Sequence, residues 1–186
     1  MTNEEIVSGE NTSARTRRFE AAMLPHLGAA YNLARWLLHD DHAAQDAVQD
    51  AYLRALKYFD RLCGDDARPW LLGIVRNTCF TWLKDNRLVG EQLEFDEERD
   101  SNTEQLIIQR TEDNPESLLM QKMESVQINQ AIGDLPPVYR EVIILRELED
   151  LSYEEIALVV AVPIGTIMSR LARARAILRN VLKQAE

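Results

Sequence analysis

The sequence predicts an all-α protein made of two small helical domains joined by an acidic, flexible linker. Three observations carry that expectation. Glycine is scarce, 7 in 186 residues, and no apolar alternating run is long enough for a strand of more than a few residues. Apolar residues recur at helical spacing in two separate stretches, 15–87 and 115–186. Residues 88–118, which span the gap and the start of the second stretch, carry ten acids against Arg99 and Arg110, a net of −8, and the gap itself has no sustained period.

The charge distribution matters more than the total of −10. Residues 15–87 hold eleven Lys/Arg and nine Asp/Glu, and residues 164–186 hold five basic residues and one acid. Two basic ends therefore flank an acidic middle, a pattern compatible with nucleic acid despite the overall sign. No stretch approaches the length of a membrane-spanning helix, and Met1–Ser13 lacks the apolar core of a signal peptide. Two cysteines, Cys63 and Cys79, make no disulfide framework. A cytoplasmic protein is expected.

Residues 1–14 read as a polar tail. Phe19, Met23, Leu27, Ala30, Tyr31, Ala34 and Leu37/Leu38 then recur at helical spacing as one run. Asp40-Asp41 ends it and caps a second helix with the stripe Ala44, Ala47, Val48, Ala51, Tyr52, Ala55 and Leu56. Cys63-Gly64-Asp65-Asp66 is a turn. A third helix follows over about 68–86, Pro69 being tolerated in its first turn and Leu72, Val75, Cys79 and Trp82 making its buried face. The linker spans 88–114 and the second domain 115–186. In the latter, a helix ends at Gly133, Leu135-Pro136-Pro137 is a break, and a further helix runs from Pro137 to about Glu147.

The last fifty residues hold the sharpest motif. Ser152-Tyr153-Glu154-Glu155 has the form of a capping box, in which Ser152 caps the helix start and Glu155 reaches back to its N–H. Val162-Pro163 breaks that short helix, and Gly165-Thr166 opens another with Ile167, Leu171, Ala174, Ile177/Leu178 and Val181 on its apolar face. Two helices joined this tightly form a helix-turn-helix, whose second member enters the DNA major groove. Its other face carries Thr166, Ser169, Arg170, Arg173, Arg175 and Arg179, where arginine bridges guanine O6 and N7 and hydroxyls hold phosphates.

Several blocks together resemble the extracytoplasmic-function (ECF) sigma factors of bacterial RNA polymerase. Leu135-Pro136-Pro137-Val138-Tyr139-Arg140-Glu141-Val142, Leu151–Ala157 and Pro163–Arg175 are similar to their C-terminal domain, region 4. Asp46–Ala55 resembles their core-polymerase-binding helix, and Pro69–Thr78 their promoter-melting helix, both of region 2. The resemblance covers about 19–87 and 115–183. It implies an initiation subunit that binds core RNA polymerase at clamp and flap, reads a −35 duplex with region 4 and melts and reads a −10 element with region 2. It also implies control by an anti-sigma factor.

Carried over position by position, the resemblance puts Asp46, Gln49, Asp50 and Leu53 on the polymerase-facing surface. Arg68, Trp70, Arg76, Asn77 and Lys84 are expected at the −10 strand, with Asn77 on a base edge and the basic residues on the backbone. Trp82 is expected in the core. Met168, Ser169, Ala172 and Arg173 match base-facing positions at the −35 element, and Thr166, Arg170 and Arg175 match phosphate-facing ones. Two departures stand out. Met168 replaces a basic or polar side chain found in some relatives and suits a thymine methyl. Ala161 stands at a turn position that is often glycine, where a left-handed backbone would be strained, so a slightly different turn is expected. The acidic linker is expected to compete with nucleic acid for basic walls and to repel DNA in the free protein.

Other chemistry is weakly supported. His39 and His42 lack a ligand set at recognised metal spacing, and no phosphate loop, nucleophile elbow or metalloprotease motif occurs. No cofactor and no enzymatic activity are expected. A decoy that titrates an anti-sigma factor would tend to lose the basic recognition helix, whereas Arg170, Arg173 and Arg175 are present. An ordinary two-domain regulator would explain the C-terminal motif but not the 46–55 and 69–78 blocks.

Overall fold

The structure, a computed structural model, describes residues 3–62, 67–90 and 126–184. Helices α1 (Asn3–Met23), α2 (Leu27–Leu38), α3 (Asp41–Tyr58) and α4 (Ala67–Gly90) form the first half. The second half holds α5 (described over 126–133), α6 (Pro137–Ile143), α7 (Tyr153–Val160) and α8 (Ile164–Gln184). Every regular element among the described residues is helical. The linker expected over 88–114 lies outside the described residues beyond Gly90, as do the turn at 63–66 and the start of the second domain.

Three boundaries differ from the sequence reading. Helix α1 begins at Asn3, inside the stretch read as a tail. An apolar period was the signal sought there, and residues 3–14 show none. The apolar run from Phe19 to Leu38 is two helices, interrupted by a 3-10 turn at Leu24–His26. Pro25 supplies the reason, since it has no N–H to continue the ladder and its ring crowds the preceding turn. Third, the helix expected from Pro137 to about Glu147 is α-helical only to Ile143. It then widens into a π-helical turn over Ile144–Leu148, where the Glu149 N–H donates to Ile144 O at 3.1 Å.

Local chemistry sets the remaining ends. Asp40 accepts from the Ala43 N–H at 2.7 Å and starts α3, after His39 has ended α2 in a left-handed conformation (φ 54°). Pro137 occupies the first turn of α6, where no donor is lost. The capping box on α7 is complete: Ser152 N–H donates to Glu155 Oε2 at 2.7 Å, and the Glu155 N–H donates to Ser152 Oγ at 3.2 Å. These bonds hold the Glu155 carboxyl below its ordinary pKa.

Helices α2, α3 and α4 pack around Leu33, Leu37, Ala44, Ala51, Leu71, Leu72 and Val75, all buried. Six alanine or valine positions on the inner face of α3 bring its backbone close to its neighbours. Phe19 of α1 meets Tyr52 and Phe59 edge-on, and the Tyr52 hydroxyl donates to Met23 O at 2.9 Å. In the second half, Val142–Leu145, Leu151, Ile156, Ile167 and Leu171 are buried. Each large apolar side chain so buried contributes about 1.5–3 kcal/mol.

The two halves touch, and one continuous apolar core runs through both. Helix α7 lies against α4 at Gly73, where an added Cβ would stand 3.6 Å from Val159 O and 3.8 Å from its Cα. Arg140 of α6 is buried, and its guanidinium donates to Trp36 O and Leu37 O at the end of α2, and to Gly133 O and Leu135 O of its own half. Burial pulls its pKa down to about 10, so it stays charged at neutral pH.

Candidate nucleic-acid interface

Helices α7 and α8 meet at a bend of 100°, within the range of a helix-turn-helix. Helix α7 ends at Ala161, whose backbone is left-handed (φ 57°, ψ 46°), so the turn keeps the conformation that favours glycine and does not take the different form expected from the sequence. Ile167, Leu171 and Ala174 then anchor α8 in the core. Their spacing turns Met168, Ser169, Ala172 and Arg173 outward on one face, all four exposed. Met168 is 52% exposed, a large apolar side chain held in solvent at the head of the recognition helix. The Ser169 hydroxyl donates to Thr166 O at 2.9 Å.

The basic residues of α8 divide into two groups. Arg173 is exposed and makes no ion pair among the described residues. Arg170 and Arg175 are engaged within the domain. Arg170 Nη1 lies 3.2 Å from Glu141 Oε1, and Arg175 Nη2 lies 2.7 Å from Glu147 Oε1. Thr166 is half-buried near the start of the helix.

The residues expected at a −10 strand lie along α4 and meet a different fate. Asn77 and Lys84 are exposed, and Trp70 is half-buried against the core. Trp82 is half-buried against the core as well, one turn beyond fully buried Cys79. Arg76 does not face solvent. Its Nε lies 2.6 Å from Glu141 Oε2 and its Nη2 3.2 Å from Oε1, a two-pronged pair. The same guanidinium stacks 4.4 Å above the Phe80 ring and donates to Asn77 Oδ1 at 3.2 Å. Arg68 Nη2 lies 2.8 Å from Glu149 Oε2, and the Asn32 amide donates to the other oxygen of that carboxylate at 3.2 Å.

Glu141 and Glu149 were not singled out by sequence reasoning as site residues. Glu141 is 0% exposed and Glu149 7%. Burial raises the pKa of Glu141, and hydrogen bonding and charge from Arg76, with the charge of Arg170, pull against that rise. The apolar run Val142-Ile143-Ile144-Leu145 beside Glu141 did not mark it, since Arg146 and Glu147 at the other end of the same run stay at least partly exposed.

On α3, Asp46, Gln49, Asp50 and Leu53 are all exposed. Leu53 is 60% exposed, which leaves an apolar side chain beside an acidic and amide-bearing face. No single helix among the described residues is long and apolar enough to cross a membrane.

Comparison with known proteins matches a family model to each half of the chain. Residues 23–89 match Sigma-70 region 2, and residues 125–178 match Sigma-70, region 4. The RNA polymerase sigma-H factor of Pseudomonas aeruginosa is 31% identical over 175 residues, covering 90% of this chain and 87% of that one. The ECF RNA polymerase sigma-E factor of Escherichia coli K12 is 35% identical over 136 residues, covering 73% and 71% respectively. Among solved structures, the sigma factor RpoE in complex with the anti-sigma factor NepR from Bartonella quintana superposes with a TM-score of 0.68 at 28% identity, covering 90% of this chain and 98% of that one. CnrH, solved with the cytosolic domain of CnrY, shares the fold, with a TM-score of 0.63 at 23% identity and 97% coverage of both chains. With both regions present in order and relatives that span most of its length, the chain belongs to the ECF sigma factors of the sigma-70 family.

Proposed function

We propose that this chain is a promoter-specificity subunit that binds core RNA polymerase and starts transcription under the control of an anti-sigma factor. The observation that carries the reading is the pairing of region 2 and region 4 in one chain with an exposed stripe on α8. In this reading Met168, Ser169, Ala172 and Arg173 face the bases of a −35 duplex. Thr166, Arg170 and Arg175 lie toward its phosphates. Helix α4 meets the −10 strand through Arg68, Trp70, Arg76, Asn77 and Lys84.

The base contacts combine two modes. Arg173 offers a fork of donors suited to guanine, while Met168 and Ala172 offer apolar surface suited to thymine methyls. The exposed face of α3, with Asp46, Gln49, Asp50 and Leu53, pairs acids and amide with an apolar anchor. That face suits a basic, partly apolar helix of the polymerase clamp. The flap of core polymerase would engage region 4. The chain works in the cytoplasm, without cofactor and without catalysis of its own; the bond-making belongs to the polymerase.

Run-off transcription with core polymerase over a library of promoter fragments tests the proposal. A transcript from a defined subset of fragments is expected. Absence of any chain-dependent transcript across the library overturns it.

A further inference from the structure

Two buried carboxylates of region 4 hold two arginines of α4. Glu141 grips Arg76 with both oxygens, and Glu149 takes Arg68 with one oxygen and Asn32 with the other. Arg68 and Arg76 are eight residues apart on α4, so both guanidinium groups meet region 4 along one stretch of that helix. The π-helical turn lies between the two acids and delivers Glu149 to Arg68. Between the two ion pairs, Val159 closes over Gly73.

The chemistry of these pairs is that of an arginine on a phosphate. A carboxylate presents two oxygens to a guanidinium fork as a phosphate does. We propose that Glu141 and Glu149 stand in for nucleic-acid phosphates, latching regions 2 and 4 together and withholding Arg68 and Arg76 from a single strand until the chain opens. The proposal rests on the assignment of α4 to the promoter strand.

The latch differs from a static ion-pair network in what opening leaves behind. On separation Glu141 keeps Arg170, its partner within region 4, at 3.2 Å, so its charge is not stranded. Glu149 is released to water together with Asn32. Arg68 and Arg76 become available on a helix that already exposes Asn77 and Lys84. The outward stripe of α8 is free in the closed state, so the latch withholds the strand-binding surface while leaving Met168, Ser169, Ala172 and Arg173 exposed.

The test compares the full chain with an Asn32→Ala/Glu141→Gln/Glu149→Gln variant, and with Glu149→Gln alone as a milder lesion. None of these residues is assigned to DNA or polymerase. Glu154→Gln, at an exposed acid of α7 outside the latch, controls for the simple loss of negative charge. Helix content by circular dichroism establishes which variants are folded, and Glu149→Gln serves if the triple variant is not. Small-angle scattering reads opening. Fluorescence anisotropy with a labelled 20-nucleotide mixed-sequence single strand, titrated with salt, reads the released arginines.

The folded latch variant is expected to show a larger radius of gyration. Its log K against log salt should steepen by about 1.4, which is about 0.7 for each of Arg68 and Arg76 on a single strand, with up to about 0.7 more from Arg170, which also loses Glu141. The Glu154→Gln control is expected to leave the radius of gyration unchanged and to shift the slope by less than half as much. An unchanged radius of gyration overturns the latch. So does an opened chain whose salt slope matches the parent or the control. Failure of the sigma assignment looks different: the chain would give no transcript with core polymerase, whatever its scattering and salt slope.

Discussion

Arg175 and Glu147 face one another across the helix-turn-helix, with Nη2 2.7 Å from Oε1 and both side chains about half exposed. The bond to Glu147, helped by Tyr153, raises the arginine pKa further above its ordinary value. A guanidinium expected on phosphate therefore has an acid of its own domain as a competitor. Glu147→Gln removes that competitor. An exposed pair of this kind is worth about 0.2–1 kcal/mol, so duplex affinity should rise by up to about fivefold. Anisotropy with a promoter duplex checks it, and an unchanged affinity would show that Arg175 does not reach DNA.

Arg173 is the arginine of α8 best placed for base readout, exposed and unpaired among the described residues. Arg173→Ala should cost about 1–3 kcal/mol at one position of the −35 element. The readout is binding to a set of duplexes carrying single base changes. Loss confined to one base pair supports base contact, while a uniform loss across the set assigns Arg173 to the backbone.

Ala161 ends α7 in a left-handed conformation, where a Cβ crowds the backbone carbonyl. Ala161→Gly removes the crowding and partly offsets the gain through a more flexible unfolded chain. The net expectation is a protein more stable by about 0.5–1 kcal/mol, a rise in Tm of roughly 1–4 °C for a chain of this size. Thermal unfolding by circular dichroism measures it, and a lower Tm would contradict the strain.

Cys79 is fully buried in α4, and burial pushes its thiol up to about 12. At pH 8 only about one part in ten thousand would be thiolate, the reactive form. In a Cys63→Ser variant, iodoacetamide should leave the native chain unmodified over hours and label it promptly in denaturant. Rapid native labelling at pH 8 would mean that α4 opens around Cys79.

What the sequence made legible was local. Ser152 and Glu155 are three residues apart, so their reciprocal bonds follow from a short motif. The outward stripe of α8 likewise follows from one helical period anchored at Ile167, Leu171 and Ala174. Pro25 was visible, yet the apolar spacing continued across it and masked the break between α1 and α2. The latch was out of reach for a different reason. Glu141 and Arg76 are 65 residues apart, and Glu149 and Arg68 are 81 apart, so their pairing depends on how the two halves meet. Charged residues on helices are ordinarily solvated, and nothing in their spacing marks these acids as buried. The residues assigned to DNA were therefore named from the sequence, while the acids that occupy two of them emerged only from the packing.

Gly73 shows what such packing asks of a sequence. It lies on α4 between Arg68 and Arg76, facing Val159, and its missing side chain is the space that α7 occupies. Alanine would fit in ordinary contact there; a larger side chain would wedge the two halves apart. A helix assigned to a nucleic-acid strand thus carries a size limit set by another part of its own chain. If α4 serves a strand as proposed, Gly73 answers to two demands, the surface that α4 offers to a partner and the fit of α7 against it in the closed chain.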